Sequence, residues 1–187
     1  MQLLRISFER LPCGDRPGMP SSADKVLEHL EELRAVETQL VSTLAAHIAV
    51  TPRSAYRDLL ERHRYETRMQ VQRIEQRLTE LGRSSSLFEV VLGTAQDALG
   101  QGIALVLAPL ALLRGGGGKE QLLKNAKGEA AAEALEIVSY DVLEAVAELV
   151  GDAGTALLAR EHRAQEESFL AALRGLIPGL ATDGVGS

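Results

Sequence analysis

From Asp24 to Ala49, apolar side chains recur at three- and four-residue steps through Val26, Leu30, Leu33, Leu40, Leu44 and Ile48, the period of a helix with one buried face. Thr51 followed by Pro52 reads as an N-cap and a proline at the first helical position. A second helix then runs to Leu81 with Gly82 as its stop, along Tyr56, Leu59, Leu60, His63, Thr67, Gln70, Ile74 and Leu78. Ser84 to Ser86 offer an N-cap for a segment that starts at Leu87 and enters the apolar tract Gly102 to Leu113, and Gly115 to Gly118 break the chain behind it. A long helix is predicted from Glu120 to about Val150, through Leu122, Ala126, Ala130, Ile137, Tyr140, Leu143 and Ala147. Gly151 stops it, and Asp152 or Thr155 caps a last helix that carries Leu158, His162, Glu166, Phe169 and Leu173 inward and ends at Pro178. No segment alternates like a strand. The pattern predicts an all-α protein, a four-helix bundle over residues 22–178 with an additional helical segment between the second and third principal helices. A flexible N-terminal tail over 1–21 and a short C-terminal tail over 179–187 complete it.

The stripes carry misplaced charge. Glu37 stands four residues after Leu33 and three before Leu40, on the face that should be buried, and Glu66, Glu133, Glu136 and Glu166 fall on or beside the inward faces of the later helices. A buried ionised carboxylate is expensive unless a cation or a dense set of hydrogen bonds compensates it. Taken singly, each of these glutamates also reads as an edge residue whose head reaches water or an arginine. Taken together, carboxylates converging inside one bundle point to a metal site. His63, Gln70, His162 and Glu129 lie on the same faces and are further candidate ligands, whereas His29 and His47 read as surface residues. Tyr140, one turn after Glu136, is a core residue or a hydrogen-bond partner of a ligand.

Composition narrows the classes. At 187 residues the chain is one domain, and its single cysteine, Cys13, excludes a disulfide framework or a cysteine zinc cluster. A reducing compartment follows, so a cytoplasmic location is expected. Met1 to Pro20 lacks the continuous apolar core of a secretory signal. The tract Gly102 to Leu113 contains Pro109 and is far shorter than the ~20 residues of a membrane span. Net charge is −6, split as +1 over residues 1–83 and −7 over 84–187, so the second half repels phosphate backbones and attracts cations. The arginines of the second helix, Arg57 to Arg77, are interleaved with acids, a solvated face rather than a nucleic-acid interface. Neither a Gly-x-Ser-x-Gly elbow nor a phosphate loop is present, since no Gly-Lys-Ser/Thr follows the four glycines.

Four stretches in order, LRAVETQL (Leu33 to Leu40), HRYETRMQVQRIEQRL (His63 to Leu78), KNAKGEAAAEALEIVSY (Lys124 to Tyr140) and RAQEESFLAAL (Arg163 to Leu173), resemble the helix signatures of the ferritin-like superfamily, in particular its YciE/YciF-type bacterial branch. The resemblance implies a dinuclear centre of two iron ions, or manganese, in the middle of the bundle. Glu37 would be the first helix's carboxylate, Glu66 the second's, Glu133 and Glu136 the third's pair and Glu166 the last helix's. Carboxylate oxygens suit hard divalent ions, and glutamates three apart project from one helix face. The chain departs from the common pattern in having no Glu-x-x-His pair and an amide at Gln70, which makes the site poor in histidine. Three functions follow in order of preference. The first is a di-iron oxidoreductase, ferroxidase- or peroxidase-like, or an iron-handling protein in oxidative-stress protection. The second is a metal-binding stress protein without turnover, and the third a metal-free interaction module. Expected partners are divalent ions, oxygen or peroxide and, through the apolar tract, a second copy in a homodimer; neither nucleic acid nor membrane is expected.

Overall fold

The structure is a computed structural model that describes residues 22–83 and 118–185. The N-terminal tail and the additional segment predicted between the second and third principal helices lie outside the described residues. Those residues form four helices and no strand: α1 (Ser22–Val50), α2 (Ala55–Glu80), α3 (Lys119–Val150) and α4 (Ala153–Val185). No helix among the described residues is long and apolar enough to cross a membrane.

Local chemistry sets most of the ends. Gly82 and Gly151 adopt φ of +84° and +79°, a left-handed backbone that a side chain would strain, and each terminates a helix where the sequence places a stop. Asp152 caps α4 by accepting the Thr155 N–H at 2.9 Å and its hydroxyl at 2.6 Å. Two ends differ from expectation. Thr51 does not cap α2, because its hydroxyl donates back to the His47 carbonyl at 2.7 Å; Ser54 takes the N-cap position and accepts the Arg57 N–H at 3.3 Å. Pro178 does not end α4, which continues to Val185, so residues 179–185 are helix rather than tail. A proline inside a helix costs about 3 kcal/mol. Leu176 and Leu180, on either side of it, are half-buried against the cluster of Phe169 and Leu173, and each offsets part of that cost, less than the about 1.5–3 kcal/mol of a fully buried side chain.

Two apolar clusters fix the directions. One joins Val26, Leu30 and Leu33 of α1 to Ile74 and Leu78 of α2, Tyr140 and Leu143 of α3 and Leu158 and Ala159 of α4. The other joins Leu40 and Leu44 to Tyr56, Leu59 and Leu60, Ala126, and Phe169 and Leu173. So α1 and α4 run one way and α2 and α3 the other. α1 packs along α2, α3 most extensively along α4, and the α1–α3 and α2–α4 contacts close the square, which puts α2 and α3 at diagonal corners. Arg83 and Gly118 therefore face opposite ends of a bundle about 39 Å long, the length of a helix the size of α2. Between the clusters, every helix turns polar residues inward.

Truncating a fully buried leucine of the second cluster, Leu60→Ala, is expected to cost about 2–5 kcal/mol in urea unfolding. Leu149→Ala, at a position 87% exposed, should change stability by less than about 0.5 kcal/mol.

Candidate metal centre

The polar layer is assembled one helical turn at a time from the stripes that build the core. α1 contributes Glu37, α2 His63, Thr67 and Gln70, α3 Glu129, Glu133 and Glu136, and α4 His162 and Glu166, and all are buried. His63 Nε2 lies 3.0 Å from Glu133 Oε1 and 3.7 Å from Glu166 Oε2. One donor atom from each of these three residues falls within 4.8 Å of the other two, the span of a single ion's ligand shell. Phe169 holds the imidazole in place by stacking on it, with ring centroids 3.6 Å apart and planes at 10°. Gln70 Nε2 donates to Glu166 Oε1 and to Gln165 Oε1, which orients the α4 carboxylate.

Tyr140 performs the same task for α1. Its hydroxyl donates to Glu37 Oε1 and lies 3.1 Å from His162 Nδ1. A hydroxyl has one proton, so with that proton on Glu37 it must accept from His162 Nδ1–H. His162 Nε2 then carries the ring's lone pair.

Eight buried side-chain atoms have no hydrogen-bond partner among the described residues, and all belong to this layer: Glu37 Oε2, His63 Nδ1, Gln70 Oε1, Glu133 Oε2, both Glu136 oxygens, His162 Nε2 and Glu166 Oε2. Each such atom costs about 1–3 kcal/mol if nothing binds it, and more if charged. Among the described residues, the ion-pair partners of Glu133 and Glu166 are histidine alone, and no arginine or lysine lies within 4.0 Å of any of the layer's carboxylates. A set of unshared lone pairs, mostly carboxylate with some imidazole, fits a hard or borderline divalent cation.

The electrostatics agree. Burial, then the neighbouring Glu166, pushes Glu37 up to about 8 despite its bond from Tyr140. Burial and mutual repulsion hold Glu133 and Glu136 well above the usual carboxylate range. Burial drags His162 down to about 3. It also pulls His63 down, but Glu66, Glu166, Glu136 and Glu37 around it win, and its net shift is upward.

Of the residues singled out from the sequence, Glu37, Glu133, Glu136, Glu166, His63, Gln70 and His162 come together here. Glu66 does not. Its side chain is 46% exposed, because the inward line of α2 passes through His63, Thr67 and Gln70 and leaves Glu66 on the flank. Glu129 is buried but separately committed, accepting from the Tyr56 hydroxyl at 2.7 Å and pairing with His47 Nδ1 at 2.6 Å. His47 is thus no plain surface residue; its side chain is 12% exposed. The signal for it was its position three residues after Leu44, on the inward side of α1.

The family model of DUF892, described as a domain of unknown function, matches residues 22–185. The chain belongs to that family. Solved structures similar to this DUF892 chain include a protein of Xanthomonas campestris pv. campestris, with 18% identity, TM-score 0.69 and coverage of 89% of this chain and 97% of that one. The Escherichia coli stress protein YciF is 20% identical with TM-score 0.69, covering 88% and 99%. YcfI of Rhodopseudomonas palustris is 18% identical with TM-score 0.63, covering 86% and 98%. At these identities the likeness concerns the helical-bundle fold. A comparison with curated proteins finds no match.

A carboxyl whose folded pKa is raised stabilises the protein fully below its unfolded value and loses that stability as pH rises through the folded value. With Glu37 moved from 4.5 to about 8, the metal-free protein should become less stable between pH 4.5 and 8, as read by urea midpoints. Saturating divalent metal should flatten or invert that slope.

Proposed function

We propose that this bundle holds two divalent ions, iron or manganese, in the manner of a ferritin-like protein, and uses them on oxygen or peroxide or in iron handling under oxidative stress. The observation that carries this reading is the set of eight buried atoms without a partner among the described residues, all in one layer and with no lysine or arginine of those residues paired to its carboxylates. Glu37, Glu133, Glu136 and Glu166 bring four negative charges when ionised, which two divalent ions neutralise. His63, Glu133 and Glu166 would hold one ion. Glu37 and Glu136, with three unpartnered oxygens between them, would complete the other alongside the shared α3 and α4 carboxylates.

Iron held by these residues would supply the electrons for reduction of oxygen or peroxide. The chain's own part is placement and exclusion of water: Tyr140 fixes Glu37, Gln70 fixes Glu166, Phe169 pins His63, and the two apolar clusters seal the layer at both ends. The stress assignment draws on the fold shared with the E. coli stress protein. Scarcity of histidine favours a second reading, metal binding without turnover, because Phe169 stands three residues after Glu166, where a Glu-x-x-His pair would put an imidazole.

Protein produced in iron-supplemented medium should contain close to two metals per chain by elemental analysis. Glu133→Ala combined with Glu166→Ala should abolish that content, and unchanged stoichiometry would reject the centre. Tyr140→Phe removes the hydroxyl that orients Glu37 and meets His162 Nδ1, and should weaken metal binding about 10–100-fold. The ferrous protein should consume oxygen or peroxide faster than free iron; equal rates select binding without turnover.

A further inference from the structure

A sealed polar layer needs a way in. Among the described residues, His63 is the member of the layer that meets an exposed carboxylate within ion-pair distance: its Nε2 is 3.0 Å from Glu133 Oε1 inside, while its Nδ1 is 3.9 Å from Glu66 Oε2 at the surface. His63 Nδ1 is buried and has no hydrogen-bond partner. A separation of 3.9 Å is too long for a hydrogen bond. It is inside the limit of about 4.2 Å for two donors each about 2.1 Å from one ion, and the exposed Glu66 head needs to approach by only about 0.5 Å to reach the roughly 3.4 Å of tetrahedral ligands.

We propose that Glu66 and His63 Nδ1 form the portal through which divalent cations enter the layer: Glu66 catches the ion from solvent, Nδ1 of the neutral ring takes it while Nε2–H donates to Glu133, and the ion then passes inward to the Glu133 and Glu166 carboxylates. This rests on the metal-centre reading above and gives Glu66 a role distinct from that of a resident ligand. The ring is suited to the task because one nitrogen is directed to Glu66 and the other to Glu133, while Phe169 stacks on its face. Glu133 Oε2 and Glu166 Oε2, unpartnered on the inner side, are the acceptors next in line. The other carboxylate near a partly exposed side chain, Glu129, offers no such path, because His47 and Tyr56 occupy its two oxygens.

Rapid mixing of the full chain with Co²⁺, followed by the visible absorbance of the bound ion, tests the portal. Glu66→Gln should bind as many ions as wild type at equilibrium but fill about tenfold more slowly, and added salt should narrow that gap. Glu75→Gln, which removes an exposed carboxylate from the same helix, should fill at the wild-type rate. Filling of Glu66→Gln at the wild-type rate overturns the portal, as does equal slowing in Glu75→Gln, which would make the effect one of overall charge. A lower ion count in Glu66→Gln also overturns it, because Glu66 would then be a ligand. If wild type takes up no Co²⁺ at all, the metal-centre reading fails and the portal with it.

Discussion

Four carboxylates, Glu37, Glu133, Glu136 and Glu166, are shut into one buried layer with no lysine or arginine of the described residues paired to them. Desolvation of an ionised carboxylate costs several kcal/mol even after relaxation, and a domain of this size is stable by only about 5–15 kcal/mol. Left ionised and alone, the set would exceed the whole margin. The layer must therefore take up protons or metal cations, and which it takes decides both stability and chemistry. Folding and the filling of that layer, by protons or by the ions we propose, are therefore one equilibrium.

The rest of the molecule is arranged to permit that layer. Apolar clusters above and below it supply the burial that the layer itself cannot. The arginines stay outside and fasten the frame. Arg57 donates to the Ile48 and Thr51 carbonyls at 2.8 Å across the α1–α2 turn, and Arg77 ties α2 to the start of α4 through Asp152 at 2.6 Å. Arg160 and Arg163 clasp Glu144 and Asp141 of α3 from α4. These guanidiniums are spent on carbonyls and on acids outside the layer, which leaves the interior acids to protons or to the ions we propose.

The bundle was legible because period and punctuation agreed: four stripes, Gly82 and Gly151 as stops, Asp152 as a cap. Pro178 misled because one lost hydrogen bond was weighed without the leucines on either side of it. Glu37, Glu133, Glu136 and Glu166 could be named because each replaces an apolar residue at a stripe position. Glu66 could not be placed by the same rule. It lies one residue from Thr67, and a rotation of about 100° per residue decides which of two neighbours faces inward. The pairing of His47 with Glu129 and the single hydroxyl joining Glu37 to His162 are contacts between helices, which no spacing within one helix encodes.

Anomalous diffraction from crystals of metal-loaded protein, collected on either side of the metal's absorption edge, addresses the charge balance directly. The account predicts two peaks in the layer, among Glu37, His63, Glu133, Glu136 and Glu166. A layer without a peak, its carboxyl groups paired to one another through protons, would contradict it.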